Sequence, residues 1–283
     1  MVLESILNPV LAENKRSRML LIGFLYSIIA GFMGLLVFST YASMLLVFFV
    51  SLASVPIMMN IIQLEESKDI RAKDEKSLLK EHSKALTAFM FLFLGTVLGV
   101  VLLYTVLPNT MVEPMFDAQV ATLNAIRGEF TANAISQSDF FFKIFFNNLK
   151  VLFLSIIFSF IFGAGAIFIM TWNASVIGTA IGSFIRSNLA SASELVGLSK
   201  TAVYFHTISI GLLRYSIHGI PEILAYFVGA LAGGVISVAI MKGHYKTKKF
   251  DRVIIDASEL IMIAVLTLVV AGLLEVYVTP LIF

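Results

Sequence analysis

The chain has 283 residues, of which 59% are hydrophobic and only 13% charged, and its mean hydropathy is +0.95. Soluble domains are roughly 45–50% apolar and about 25% charged, so the composition excludes an ordinary soluble protein and predicts an integral membrane protein. The absence of Cys excludes disulfides and thiolate metal sites. The net charge of +2 by itself says nothing about partners, and no nucleic-acid partner is predicted.

Uncharged runs predict the first membrane spans, because a helix needs about 20 mostly apolar residues to cross a bilayer. The N-terminal run predicts a helical hairpin, 19–38 and 42–62, and a third span follows over 85–107. Residues 108–140 are too polar to cross and are expected to form a loop outside the membrane.

Three further spans are predicted after this loop. The fourth begins near residue 140 or 150 and ends at 172–173, and clean later spans cover 223–241 and 260–279. All crossings are helical, so the fold class is an all-α transmembrane helix bundle.

The segment between residues 173 and 219 allows two interpretations. Residues 174–185 form an uncharged run of roughly 18 Å as a helix, which is too short to cross and predicts a re-entrant or interfacial half-helix. The crossing then falls at 201–217. The opposite assignment, with the crossing at 174–185, remains open.

Charge placement predicts the orientation. Residues 1–18, 64–84 and 242–252 hold 14 of the 20 basic residues, and Lys and Arg accumulate in cytoplasmic loops. The N-terminus is therefore expected inside and the 108–140 loop outside. About seven crossings result, with the C-terminus outside, in a multi-pass protein of the plasma membrane.

Three segments organise the chain: a hairpin segment (1–64), a charged inner segment (65–84) and a membrane core (85–283). The inner segment alternates acidic and basic residues, which is typical of a solvated helix, and a docking surface for a protein partner is the alternative. The basic cluster at 242–252 serves as an orientation signal or contacts anionic lipid.

Small residues recur at four-residue spacing in the predicted span 223–241. In lipid, close backbone approach at small residues drives helix association. This stripe therefore predicts packing within the chain or, alternatively, a homodimer seam; it consists of Ala225, Gly229, Gly233 and Ser237. Shorter copies of the spacing are Gly95/Gly99 and Gly178/Gly182.

Polar residues at membrane depth are costly and are candidates for function. They are Asn147, Asn148, Asn173, His206, Arg214, His218, Glu222 and Glu275. Pro221 suits the first turn of a helix, so it is expected to open the span 223–241 with Glu222 beside it.

His218 and Glu222 form either a capping arrangement or a metal or proton site, with Glu275 or His206 as a third ligand. No cofactor is predicted apart from this candidate metal ion. The sequence carries no nucleophile elbow, phosphate-binding glycine loop or His-Glu-x-x-His motif, so nothing in it marks an enzyme.

Several short motifs follow one another in a fixed order over about residues 85–283. They are Asn147-Asn148 before a Phe-rich span, Gly163-x-Gly165, Asn173 with Gly178, His218-Gly219-x-x-Glu222, the stripe from Ala225 to Gly233 and Gly234, and Leu274-Glu275-x-Tyr277-x-Thr279-Pro280. In their order and spacing these motifs resemble the stage II sporulation protein M family of prokaryotic membrane proteins. The hairpin over 19–62 is additional to the five-span core that this resemblance implies, and Ala174 stands where Gly is common.

Three functions follow from these features. The resemblance implies a non-enzymatic scaffold that holds partners at the membrane, here through the inner or outer segment. The interrupted region 173–222 with its polar groups favours a transporter or channel. A metal-dependent membrane enzyme centred on His218 and Glu222 is the third.

Overall fold

The computed structural model describes residues 16–71, 75–131, 136–162, 165–191, 197–247 and 249–282. These residues form helices and a few short turns, and no strand occurs among them. The helices are α1 (Arg16–Val37), α2 (Ala42–Arg71), α3 (Glu75–Val106), α4 (Asn109–Thr131), α5 (Gln137–Phe162), α6 (Ala166–Ser191), α7 (Gly197–Met241), α8 (Lys249–Leu273) and α9 (Thr279–Ile282). Short 3₁₀ turns lie at Ser39–Tyr41 and His244–Lys246, and a π-helical turn, Leu274–Val278, joins α8 to α9.

Within the described chain, seven helical segments are long and apolar enough to cross a membrane, so the expected all-α bundle of about seven spans is confirmed at that level. They are Arg16–Val37, Ser39–Lys68, His82–Val106, Gln137–Ile161, Ala166–Leu189, Phe205–Met241 and Phe250–Ile282.

The N-terminal hairpin is packed into the bundle. Gly23 of α1 lies against the backbone carbonyl of Leu92 in α3, and Gly31 lies against the side chain of Leu103. Because the contacts advance together along both helices, α1 and α3 run parallel. Without Cβ atoms at these positions the two backbones approach closely, which is how membrane helices gain packing contacts.

Helix α7 forms the centre of the protein. Its residues Tyr226 and Phe227 are fully buried, and Phe227 packs against Phe89 of α3 with ring centroids 5.6 Å apart. The predicted stripe of small residues on α7 is buried and faces α5: Gly229 lies against Leu152, and the next glycine of the stripe, Gly233, lies against the α5 backbone.

Polar contacts define the two ends of the bundle. At one end Glu66 of α2 bonds Lys242 and His244, so the end of α2 and the end of α7 meet there. At the other end Arg186 of α6 donates to the carbonyl of Tyr104, 2.9 Å away, and to the side chain of Asn109, 2.6 Å away. We call these the basic end and the α4 end.

The half-helix predicted over residues 174–185 is not observed. These residues lie inside α6, a helix of 26 residues whose segment Ala166–Leu189 is of membrane length. The expectation failed because Asn173 and Arg186 were taken as interruptions. In the structure, Asn173 bonds the Ile169 carbonyl one turn earlier in α6, and Arg186 is bonded at the α4 end. The fourth span accordingly ends at Phe162 and not at residues 172–173.

The predicted separation of 201–217 from 223–241 is also wrong, since both belong to the single 45-residue helix α7. Pro221 lies within this helix and does not open it. A proline removes one backbone hydrogen bond, and membrane helices tolerate this. Helices α6 and α7 run in opposite directions: Gly211 of α7 lies against Phe184 of α6, and Gly219, further along α7, lines a cavity together with the earlier α6 residue Ile177.

The segment predicted as an outer loop, 108–140, contains helix α4, which packs against α2 and α6. Its Met115 and Phe116 are fully buried, and the buried Gln119 amide donates to the Ser43 carbonyl at 3.3 Å and to Ser175 Oγ at 3.1 Å. The segment is therefore part of the bundle and not only a connection.

Candidate functional site

An open cavity of about 460 Å³ lies between α5, α6 and α7, with the π-helical turn along one side. Helix α4 contributes one residue to its wall. The lining residues are Leu123, Lys143, Ile144, Phe146, Asn147, Asn148, Lys150, Asn173, Val176, Ile177, Ala180, Tyr215, His218, Gly219, Glu222 and Glu275.

Helical periodicity explains how the three helices build this wall. Residues spaced i, i+3, i+4 and i+7 share one face of a helix. In α7 this face consists of Tyr215, His218, Gly219 and Glu222, and α5 and α6 present the same spacing from Lys143 to Lys150 and from Asn173 to Ala180.

Six of the residues singled out in the sequence are brought together at this cavity. They come from four elements and are separated by up to 128 positions in the chain, and they are Asn147, Asn148, Asn173, His218, Glu222 and Glu275. His206 and Arg214 are exposed and do not line the cavity. The geometry thus separates a convergent group from two surface residues of α7.

Glu222 is held by a neighbouring polar group. The Tyr226 hydroxyl, one turn further along α7, donates a 2.8 Å hydrogen bond to Glu222 Oε1. Asn148 of α5 lines the same cavity. Because Tyr226 is itself fully buried, the bond fixes the orientation of the carboxylate at the cavity wall.

His218 contacts the C-terminal part of the chain. Its Nδ1 is 3.3 Å from the Thr279 hydroxyl, and that hydroxyl donates to the Leu274 carbonyl at 3.0 Å. These bonds connect α7 to the π-helical turn. π-Helical turns insert an extra residue and often occur at functional sites, and here the turn brings Glu275 to the cavity.

The candidate metal pair, His218 and Glu222, lies on one wall, with Thr279 and Tyr226 as their partners. Among the residues that the structure describes, no group of three or more His, Asp or Glu side chains is placed to hold a metal ion.

Two lysines of the cavity, Lys143 and Lys150, were not singled out from the sequence. They are separated from Asn147 by four and three positions, which places them on the same face of α5. Their spacing from Asn147 could have identified both lysines from the sequence. The lining therefore combines two ammonium groups on α5 with two carboxyl groups on α7 and the π-helical turn.

A second polar cluster at the basic end was also missed. The inner segment was expected to be solvated, but Glu65 and Glu66 are both fully buried. Glu65 bonds Lys68 and, at 2.7 Å, His82 Nδ1. Glu66 accepts bonds from Lys242 Nζ at 2.8 Å and His244 Nδ1 at 2.7 Å. Alternating charges in the sequence did not reveal that two adjacent acids turn inward.

The fold and the cavity define a class: an all-helical polytopic membrane protein with polar groups gathered between its membrane-length helices. Residues 87–280, more than half of the chain, match the Stage II sporulation protein M (SpoIIM) family, and the chain belongs to this family. The resemblance seen in the motifs is thereby confirmed.

The chain is also similar to an uncharacterized protein of Methanocaldococcus jannaschii, with 30% identity over 165 residues that cover 57% of this chain and 83% of that protein. No solved structure matches this chain.

Proposed function

We propose that this SpoIIM-family protein binds a polar ligand, or the polar part of a larger one, in the cavity between α5, α6 and α7, and that it acts as a membrane transporter. The observation that carries this proposal is the convergence of six polar side chains on an open cavity rather than on a packed interface. Ionisable groups among membrane-length helices are costly and usually functional.

The dimensions and chemistry of the cavity support ligand binding. Ligand sites usually occupy about 300–1,000 Å³, and the cavity volume of about 460 Å³ falls within that range. Its two ammonium and two carboxyl groups, together with three asparagines, suit a ligand that carries both hydrogen-bond donors and an anionic group.

The orientation of the ligand path follows from charge. In this proposal the basic end faces the cytoplasm of a plasma-membrane protein, because Lys and Arg are retained on that side, and the C-terminus is outside. Leu123 of α4 lies on the cavity wall, so the cavity is reached from the α4 end, which is the outer end.

The test compares Glu222→Gln with the matched control Glu113→Gln, an exposed position of α4 that does not line the cavity. Purified protein in a neutral detergent is heated with an amino acid, with inorganic phosphate or with glycerophosphoethanolamine, and the shift in Tm gives the affinity. Loss of the charge-assisted bond from an ammonium group weakens the binding of the amino acid and of glycerophosphoethanolamine about 10- to 100-fold in Glu222→Gln.

The control variant keeps wild-type affinity. Uptake of the bound solute into proteoliposomes then tests transport. Equal affinities of Glu222→Gln and the wild type, or no Tm shift with any of the probes, would contradict the proposal.

A scaffold is the second candidate, favoured by the solvent-exposed acidic residues Glu113 and Asp117 on a helix outside the seven membrane-length segments. Reversing both charges then reduces cross-linking to a partner protein in native membranes, whereas Glu222→Gln leaves the cross-linked product unchanged. If the protein acts only as a transporter, reversing these two charges leaves the cross-linking unchanged.

A further inference from the structure

A second cavity adjoins the polar one along α7. It has a volume of about 230 Å³, lies between α3, α6 and α7, and is almost entirely apolar. An apolar cavity of about 150 Å³ is already large enough to hold benzene, so this space accommodates a hydrocarbon segment. Its wall consists of Met90, Phe91, Phe93, Leu94, Val97, Ile177, Ile181, Leu212, Tyr215, Ser216, Gly219, Ile220 and Ile223.

The two cavities share three wall residues, Ile177, Tyr215 and Gly219. A Cβ atom built on Gly219 would meet no atom within 4 Å, so open space borders this residue. The polar and apolar cavities therefore adjoin at a glycine of α7 that places no side chain of its own between them.

The apolar cavity also reaches the surface of the bundle. Two of its lining residues, Leu94 and Ile220, are 41% and 54% exposed. Both belong to membrane-length segments, where exposed apolar side chains face lipid. A hydrocarbon chain thus has a route from the bilayer into this space.

We infer that the ligand is a phospholipid whose headgroup occupies the polar cavity and whose chain passes Gly219 into the apolar cavity. This inference rests on the proposed function and names the ligand class of the same site. Lysine ammonium groups bind phosphate as point charges, and Lys143 and Lys150 line the α5 wall. On the opposite wall the carboxyl groups of Glu222 and Glu275 accept bonds from hydroxyl or ammonium groups of the headgroup.

Burial of the hydrocarbon chain of the lipid predicts a measurable difference in affinity. Each methylene removed from water contributes about a fourfold gain in affinity. Burying only two methylenes therefore gives more than about a tenfold difference between a lipid and its free headgroup.

The experiment measures the Kd of the full-length protein, held in amphipol without free detergent micelles, for three probes kept below their critical micelle concentrations: glycerophosphoethanolamine, lysophosphatidylethanolamine, and a monoacylglycerol with the same chain. We expect the lysophospholipid to bind at least about ten times more tightly than glycerophosphoethanolamine. The monoacylglycerol, which lacks the phosphate, is expected to bind more weakly than the lysophospholipid.

Variants distinguish the contribution of the headgroup to binding from that of the hydrocarbon chain. Leu212→Phe fills the apolar cavity, so it removes the advantage of the lysophospholipid and leaves the affinity for glycerophosphoethanolamine unchanged. Gly219→Phe fills the space where the two cavities adjoin and also removes this advantage, but because Gly219 lines the polar cavity too, no unchanged headgroup affinity is expected of it. Lys150→Gln weakens the binding of both phosphate-containing probes. Leu212→Phe decides the outcome if Gly219→Phe fails to fold by size-exclusion chromatography.

Equal affinities of the lysophospholipid and glycerophosphoethanolamine, both reduced by Glu222→Gln, would overturn the lipid assignment and leave the proposed function standing. A monoacylglycerol that binds as tightly as the lysophospholipid would overturn the phosphate assignment. If neither phosphate-containing probe binds the wild type, and no other solute does, the proposed function fails as well.

Discussion

The bonds around Glu66 allow a prediction whose sign depends on the background in which a substitution is made. Glu66 is 0% exposed and accepts bonds from Lys242 and His244, whose side chains remain 41% and 27% exposed. The perturbation is Glu66→Gln, made once in the wild type and once in the double variant Lys242→Met/His244→Phe.

The magnitudes follow from what each change leaves buried. Removing both donors leaves a carboxylate without compensation in the interior, which costs about 3–5 kcal/mol. Glu66→Gln in the wild type removes charge assistance from two bonds, but Lys242 and His244 still reach water, so we expect a cost of about 1–2 kcal/mol. In the double variant the same Glu66→Gln removes the uncompensated charge and restores about 2 kcal/mol.

The assay is unfolding of the purified protein by a denaturing detergent, followed by the fluorescence of Trp172, the single tryptophan of the chain. The four proteins form a double-mutant cycle. The coupling energy is the stability lost on Glu66→Gln in the wild type plus the stability gained on the same substitution in the double variant. A further loss of stability on Glu66→Gln in the double variant would refute the argument that Glu66 is a buried charge held by these two donors.

Three further predictions concern packing and polar contacts of the described helices. Gly95→Ala places a methyl group on the backbone of α1 and is expected to cost more than about 1 kcal/mol, whereas Gly219→Ala meets open space and stabilises α7 by up to about 1 kcal/mol; thermal unfolding of the two variants compares them directly. Gln119→Leu removes the buried bonds that hold α4 and lowers the free energy of unfolding by about 1–2 kcal/mol, measured by the same detergent titration. Arg186→Lys keeps the charge but loses the planar donor pair at the α4 end, so limited proteolysis after α3 is faster, and an unchanged cleavage rate would contradict this role.

The number and helical nature of the spans were predictable because a bilayer imposes a minimum length and a low charge on any crossing helix. The hairpin and the third span were located to within about three residues, except that the second span extends to Lys68 and not only to residue 62. Where the expectation failed, around Asn173 and Arg186, a polar residue was read as an interruption. Its hydrogen-bond partner, whether one turn away in the same helix or on a neighbouring helix, is invisible to a count of uncharged residues.

Pro221 illustrates the same limit. Its residue type predicts a helix start, but the cost of one missing backbone bond is smaller than that of reversing the chain within α7. The relative size of these two costs depends on how α7 packs in the fold, which the sequence does not show.

The candidate site was predictable in its members but not in its form. Residue type identified Glu222 and Glu275 as costly at membrane depth, and the structure places both at one cavity. The cavity itself depends on packing among three helices, which no local pattern specifies. Lys143 and Lys150 were recoverable from their spacing with Asn147, whereas the inward turn of Glu65 and Glu66 depends on partners in α3 and near the end of α7.

The length of α7 has a consequence for the bilayer around the protein. Its membrane-length segment, Phe205–Met241, has 37 residues and measures about 55 Å, compared with a hydrocarbon thickness of about 30 Å. A segment with this degree of hydrophobic mismatch has to tilt or bend, and the angle depends on the thickness of the host membrane. Since one face of α7 lines both cavities, their shape is tied to the acyl-chain length of the surrounding lipids.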